Sequence, residues 1–365
     1  MAKILQWLNS LLEGRAVKLL LYFCFFWIVA SATFSGFIGK YAMMDDFPVD
    51  WRIEKIIDGT APQPFIYRQL LPWSAKFIEK EIGTKTIEKL TMPTARMVEA
   101  TYTKPQLQER SPTYKSVWVI IYYLSFFSLF LSLVLIYNLL TGNGFTSSVA
   151  LLSTAIFSLS LPYLQTPGGY YYDFSELFFM SLVLFLASKR NLHLIFLLPI
   201  AVIGAFNKET FFLFLLCIYP FMRDIYSRKK SLAYLGLAVS LALIVNLLLK
   251  SAYADNPGGG VQFHLFTNIT HYLDPHWYFI RTWTYGTPST GNGHIIVIII
   301  AAFLILRGYR QLKRNFQVYT IIATVISLPL FLLFCATGEL RNWSFLYIPF
   351  ILLIASALTP GKLLK

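Results

Sequence analysis

The residues able to do chemistry fall in a few short strings between long apolar segments. An acidic pair, Asp45-Asp46, stands in MMDDFPVDW. A carboxylate held close to a sugar hydroxyl can act as a general base; such a pair also suits a solvated loop or a helix cap. The string PFIYRQLLPW, residues 64–73, brings Tyr67 and Arg68. A guanidinium binds phosphate oxygens bidentately, and at a membrane surface it also serves as an anchor. GGYYYDFSE, residues 168–176, carries Tyr170, Tyr171, Tyr172, Asp173 and Glu176. Tyrosines suit a membrane interface, and acids at that point suit a helix N-terminus. Asn207-Lys208-Glu209 offers a lysine for an anionic lipid headgroup beside an acid with which it can pair. Gly338-Glu339-Leu340-Arg341-Asn342 repeats the combination of acid and base.

A further loop holds His264, His271, Asp274, His276 and Arg281. Three nearby donors can bind a metal, but the spacing of His271, Asp274 and His276 matches no metal motif, so His271 is expected to touch substrate. Pro275, Trp277, Tyr278, Trp283 and Tyr285 make this loop suitable for lipid contact or sugar stacking. Asn268-Ile269-Thr270 and Asn342-Trp343-Ser344 are glycosylation sequons. Cys24, Cys217 and Cys335 each fall in or at an apolar segment and read as small hydrophobes rather than a disulfide or zinc framework.

The elements that must position these strings are set by composition. Of 365 residues, 56% are hydrophobic and 13% charged, with a mean hydropathy of +0.58; soluble domains carry about 25% charged residues. The solvent is therefore largely lipid. A net charge of +13 would suit nucleic acid, but the bases sit in short caps between apolar segments, which encodes orientation in a bilayer. Ten spans are expected, at 19–38, 117–140, 146–163, 172–188, 192–206, 209–222, 232–250, 293–306, 318–336 and 344–358. A single helix from Asn191 to Met222 would be about 48 Å long at ~1.5 Å per residue, against ~30 Å of hydrocarbon. A hairpin turning at Asn207-Lys208-Glu209-Thr210 resolves this. Parity then places Lys3, Arg15, Lys18, Lys189, Arg190, Arg223, Arg228, Lys229, Lys230, Arg307, Arg310, Lys313, Arg314, Lys362 and Lys365 on one side, against only Glu13 and Asp224. That side is expected to be the cytoplasm, with both termini in it. Residues 1–18 read as a cytoplasmic interfacial helix. Residues 39–115 form a large extracytoplasmic loop, and 251–292 form a second. Within the first, Ile66, Leu70, Trp73 and Phe77 form one stripe of an amphipathic helix over 65–79, with Arg68, Lys76 and Glu79 opposite. Pro72 is expected to kink it.

A first span followed at once by Met44-Asp45-Asp46-Phe47 in a large outer loop, then an interfacial helix and many spans with short outer loops, resembles the GT-C superfamily of membrane glycosyltransferases. The resemblance covers most of the chain as architecture and a few residues as motif. It implies an all-α polytopic fold of about ten transmembrane helices and a polyprenyl-phosphate sugar as donor. The acceptor would be a glycan or lipid, and the active site would lie on the periplasmic or extracellular face of a bacterial inner membrane. Asp45 or Asp46 would correspond to the family's catalytic acidic position and would deprotonate the acceptor hydroxyl. Arg68, Lys208 and Arg341 are the candidates for the lipid phosphate, chosen by charge and side. Tyr67, Tyr172, Asp173, Glu209, His271 and Glu339 are expected to line the substrate. No metal is demanded by a lipid monophosphate leaving group, although the acids could hold one. A transporter or flippase of a lipid-linked or anionic substrate, a polysaccharide polymerase and an acyltransferase are the competing readings.

Overall fold

The computed structural model describes residues 14–44, 48–102, 107, 110–165, 169–259, 262–291 and 293–359. Asp45 and Asp46, and most of the interfacial helix expected over 1–18, lie outside them. The first helix, α1 (Arg15–Tyr41), runs into a 3-10 turn, Ala42–Met44. The large loop then folds into α2 (Ile53–Asp58), a 3-10 turn at Phe65–Tyr67, α3 (Leu70–Ile82) and α4 (Thr84–Thr101). The remaining apolar helices are α5 (Pro112–Gly142), α6 (Ser147–Leu164), α7 (Tyr172–Ser188), α8 (Leu194–Asn207), α9 (Phe211–Cys217), α10 (Tyr219–Ile225) and α11 (Arg228–Ala252). After α12 (Leu265–Leu273) and a two-stranded hairpin come α13 (Ile295–Gly308), α14 (Arg314–Phe334) and α15 (Tyr347–Leu358).

Among the described residues six helices are long and apolar enough to cross a membrane: Ala16–Met44, Pro112–Gly142, Ser147–Leu164, Arg228–Ala252, Arg314–Phe334 and Leu340–Leu358. Their outward faces are rich in large exposed apolar side chains, such as Ile28, Leu247, Leu248 and Val325, each more than 60% exposed. That surface is stable in hydrocarbon and not in water. Among the described residues the protein is an all-helical membrane protein but for the strands Arg281–Thr284 and Thr287–Thr290. These pair antiparallel across Tyr285-Gly286, whose φ values of 57° and 73° are both positive, as a tight hairpin turn requires. Period-2 apolar patterning is absent from RTWTYGTPST, so the hairpin was not expected.

Local chemistry sets the helix starts. Ser111 accepts a hydrogen bond from the Tyr114 N–H and is followed by Pro112, so α5 begins five residues before the expected 117. In the large loop the helix begins at Leu70, not at 65, and Pro72 does not kink it. Pro72 falls in the first turn, where no intrahelical N–H bond is needed. Leu71, Pro72 and Ala75 are the buried residues of α3, while Trp73 and Phe77 are 62% and 64% exposed. The expected apolar stripe therefore splits, with Ile66 in the core, Leu70 packed against it, and Trp73 and Phe77 facing outward. The loop also holds a second helix, α4, for which the sequence gives no expectation; Ile87, Thr91, Ala95 and Val98 turn one face of it inward.

The hairpin of α8 with α9 and α10 forms as the length argument requires. Its two ends meet, because the Tyr226 hydroxyl donates to the Leu192 carbonyl and lies 3.2 Å from His193 Nδ1. Its tip is 207–210. Residues from Gly59 to Gln63 bond with the stretch after α11: Gln63 Nε2 donates to Tyr253 O, and Asn256 Nδ2 to Gly59 O. At the opposite end Asn315 donates to Asp224. Inside the bundle α7 lies along α5, and Phe34 and Phe37 of α1 meet Phe174 of α7 edge-on at 5.3 and 4.8 Å. α7 is buried on nearly every side, which is the setting for its two acids.

Candidate functional site

The strings that the topology places at one end of the bundle meet in a buried cluster of charges. Arg68, between the 3-10 turn at 65–67 and α3, makes a two-pronged pair with Glu209 at the hairpin tip. Nη2 lies 2.7 Å from Oε1 and Nε 3.2 Å from Oε2. Lys208 Nζ donates to Glu176 Oε2 at 2.7 Å, and both side chains are at most 5% exposed. The other oxygen of Glu176 accepts from the Ser344 hydroxyl at 3.2 Å. Arg341 faces Asp173 at 3.4 Å and Glu339 at 3.7 Å. The second oxygen of Asp173 accepts from the Tyr170 N–H.

Aromatic rings frame these charges. The Arg68 guanidinium lies over Phe65 at 5.2 Å and over Tyr172 at 4.8 Å; that of Arg341 lies 3.9 Å from the centre of Tyr170. Cation–π attraction strengthens when the cation is desolvated, as both are here. Trp51, Phe65, Tyr170 and Tyr172 stack in succession at 5.4, 5.8 and 5.1 Å. Tyr171 fixes the path of the loop by donating to Arg68 O at 3.1 Å.

The tip of the hairpin is held from two directions. Asn207 donates to Tyr172 O and accepts from the Ser175 hydroxyl, which ties it to the first turn of α7. Asn246 of α11 donates to Glu209 O at 2.8 Å. Gly204 permits the close turn, since a Cβ there would lie 2.3 Å from the Phe211 ring.

Electrostatics follow the pairing. Burial opposes the charge on Arg68, but the Glu209 carboxylate more than offsets it and holds the guanidinium above its ordinary value. Burial likewise works against ionised Glu209, and Arg68 reverses the sign, leaving the carboxyl below its usual range. Burial pushes the Tyr170 and Tyr171 phenols up, against the nearby guanidinium groups. Tyr67 moves the same way, through burial and then Glu209.

Not every polar atom finds a partner. Arg68 Nη1, Arg341 Nε and the hydroxyls of Tyr172 and Tyr347 are buried without a hydrogen bond. An unpaired buried donor costs about 1–3 kcal/mol, so this arrangement suits a polar guest or water. Close by in the chain, an apolar groove of about 490 Å³ is lined by Trp73, Ser74, Phe77 and Ile78 of α3, Leu124 of α5 and Phe206 of α8. Phe206 directly precedes Asn207-Lys208-Glu209, and α3 begins two residues after Arg68.

No family model, curated protein or solved structure matches this chain.

Of the expected site residues, Arg68, Tyr172, Asp173, Lys208, Glu209, Glu339 and Arg341 converge, and Tyr67 is buried beside Glu209. All three cations expected to hold phosphate are already paired with carboxylates. His271 stands instead against Trp277, with ring centroids 3.9 Å apart, and burial lowers its pKa. Among the described residues no group of three His, Cys, Asp or Glu side chains is placed to hold a metal ion. Asn268 is fully buried and its amide donates to Leu332 O and Cys335 O, so the first sequon is closed in the folded chain. The network also uses Phe65, Ser175, Asn207, Asn246 and Ser344, which sequence reasoning left out of the site. Asn207 carried a signal as part of the polar string at the hairpin turn, and Asn246 as an amide inside an otherwise apolar span.

Proposed function

We propose that this protein transfers a sugar from a polyprenyl-phosphate carrier to an extracytoplasmic glycan or lipid acceptor. In this reading four shorter apolar segments, α7, α8, the α9–α10 pair and α13, also cross the bilayer, giving about ten spans. The charge cluster then faces away from the cytoplasm of a bacterial inner membrane. The observation that carries the reading is the buried trio Arg68, Lys208 and Arg341 with unmatched Arg68 Nη1, Arg341 Nε and Tyr172 hydroxyl, in chain continuity with an apolar groove. A lipid phosphate needs cationic donors for its head and an apolar channel for its chain.

In the reaction the bond between the anomeric carbon and the phosphate oxygen breaks as the acceptor oxygen attacks. The acceptor proton passes to a carboxylate, for which Asp45 or Asp46 is the candidate. Charge growing on the leaving phosphate is stabilised by guanidinium groups fixed in place beforehand, often the largest catalytic contribution. Phosphate has two routes to these cations: the unmatched Arg68 Nη1 and Arg341 Nε, or the places that Glu209 holds on Arg68 and Asp173 on Arg341. The test is sugar transfer from a radiolabelled polyprenyl-phosphate sugar in proteoliposomes, with Asp45→Asn and Asp46→Asn made singly. One of them should abolish product; full activity in both removes the proposed base.

The transporter reading has one observation of its own. Lys208 and Glu209 sit, with their partners buried, where the chain breaks between two short helices, a setting that transporters use for ion and substrate sites. Movement of a lipid-linked or anionic solute across proteoliposomes without any product would favour it.

A further inference from the structure

α12 has two unlike faces. Its sequence, LFTNITHYL, holds no Asp, Glu, Lys or Arg. Phe266, Ile269 and Leu273 fall on one helical stripe and are 76%, 45% and 76% exposed. The opposite face is polar and engaged. Asn268 Nδ2 donates to Leu332 O at 3.0 Å and Cys335 O at 3.1 Å, and its Oδ1 accepts from the Thr337 hydroxyl at 2.8 Å. The Tyr272 hydroxyl accepts from the Gly338 N–H at 3.2 Å. Trp277 closes over Gly338, where φ is +80° and a Cβ would lie 2.7 Å from the indole. The gripped turn leads directly to Glu339 and Arg341 of the charge cluster.

We propose that α12 is an in-plane membrane helix whose apolar stripe lies in phospholipid acyl chains, and that it latches the turn carrying Glu339 and Arg341 to the bilayer. Phospholipid is the occupant because the stripe is continuous with the lipid-facing surface of a span. Phe263 and Phe334 meet at 6.3 Å, and Phe334, at the end of α14, is itself 40% exposed. The His264 N–H donates to Leu333 O at 2.7 Å, which fixes α12 at the level where that span ends. Without acyl chains, two large side chains at 76% exposure would face water, and α12 would gain by moving. The position of Arg341 thus depends on the lipid around it. This proposal does not rest on sugar transfer.

Two measurements test it, using the full chain in phosphatidylcholine liposomes. First, Phe266→Cys, Leu273→Cys and His276→Cys are made singly in a background of Cys24→Ser, Cys217→Ser and Cys335→Ser and labelled with bimane. Brominated acyl chains should quench positions 266 and 273 strongly and position 276 little. Equal, weak quenching at all three overturns the proposal and points to a protein partner over the stripe. Second, hydrogen–deuterium exchange is followed over residues 336–341. Tyr272→Phe should speed exchange there roughly fivefold, as loss of one net hydrogen bond implies, and Asn268→Ala, which removes three, should speed it further, with α5 unchanged as the folding control. The decisive variant is Phe266→Ser/Leu273→Ser, which removes no latch hydrogen bond yet should also speed exchange at 336–341. Unchanged exchange in that variant, with α5 intact, would show that lipid contact does not hold the turn. Should Asn268→Ala fail to fold, Tyr272→Phe still decides whether the latch exists.

Discussion

Replacing Arg68 with Met keeps side-chain length and apolar contact with Phe65 and Tyr172, but it strands the Glu209 carboxylate. Breaking a buried pair by removing one partner costs about 3–5 kcal/mol. The Glu209 side chain is 24% exposed, which favours the low end. A second route to the magnitude starts from proton uptake, by which Glu209 can escape. From an unfolded carboxylate pKa of about 4.3, protonation at pH 7 costs roughly 3.7 kcal/mol. The two estimates together give a loss of about 3–4 kcal/mol. The sign with pH is also determined. In the wild type Glu209 is depressed, so its contribution is present above about pH 4.3 and is lost only as pH falls through the lower folded value. In Arg68→Met the folded carboxyl is raised above its unfolded value, so the variant regains up to about 1.4 kcal/mol per unit as pH falls from 7 to 5. Unfolding by SDS titration in mixed micelles, followed by tryptophan fluorescence, measures both. The gap between wild type and variant should narrow at pH 5, and Arg68→Met/Glu209→Gln should recover most of it. A loss under about 0.5 kcal/mol at pH 7, within the range of ordinary surface changes, or a gap unaltered by pH, would refute the reasoning.

Other consequences are open to direct measurement. Lys208→Met strands Glu176 in a drier setting, so about 3–5 kcal/mol should be lost. Adding Glu176→Gln should restore part of it in the same titration, whereas strictly additive effects would deny the coupling. Expressed in a host that glycosylates sequons, the folded protein should carry no glycan at Asn268; a glycopeptide spanning 268–270 in mass spectrometry of active, folded material contradicts its burial. Gly204→Val forces side-chain atoms onto the Phe211 ring and should destabilise the protein by about 2 kcal/mol, in the range for overpacking. An unchanged midpoint would mean that the hairpin packs less closely at Gly204 than described.

Features governed by length and by the cost of charge in hydrocarbon were legible beforehand. The hairpin at 207–210 followed from too many apolar residues for one crossing. The meeting of Arg68, Lys208, Glu209, Asp173 and Arg341 followed from counting loops, because parity alone puts those strings at one end of the bundle. Pairing was not legible. Nothing in Glu176 or Ser344 marks them as partners of one another, since that contact spans 168 residues of sequence and depends on how α7 lies beneath the turn at 340–346. Pro72 was misjudged because its effect depends on where the helix begins, and no capping side chain marks the start at Leu70. The helix α4 is not legible in the sequence because its composition is that of a soluble loop, although its inward face, Ile87, Thr91, Ala95 and Val98, is regular. The acidic pair that carries the resemblance, Asp45-Asp46, falls outside the described residues, so the family expectation stands apart from this geometry.

The cluster as it stands holds three cations, Arg68, Lys208 and Arg341, and four carboxylates, Asp173, Glu176, Glu209 and Glu339. Fully ionised, it is already an anionic spot. A phosphate that enters adds further negative charge to a region shielded from water, and repulsion of that kind is relieved by taking up a proton along with the guest. Association with any anion should then be thermodynamically linked to hydrogen ions, tightening as the medium becomes more acidic. A neutral guest in the same place would feel no such dependence, so the acidity profile of binding by itself separates the two classes of ligand.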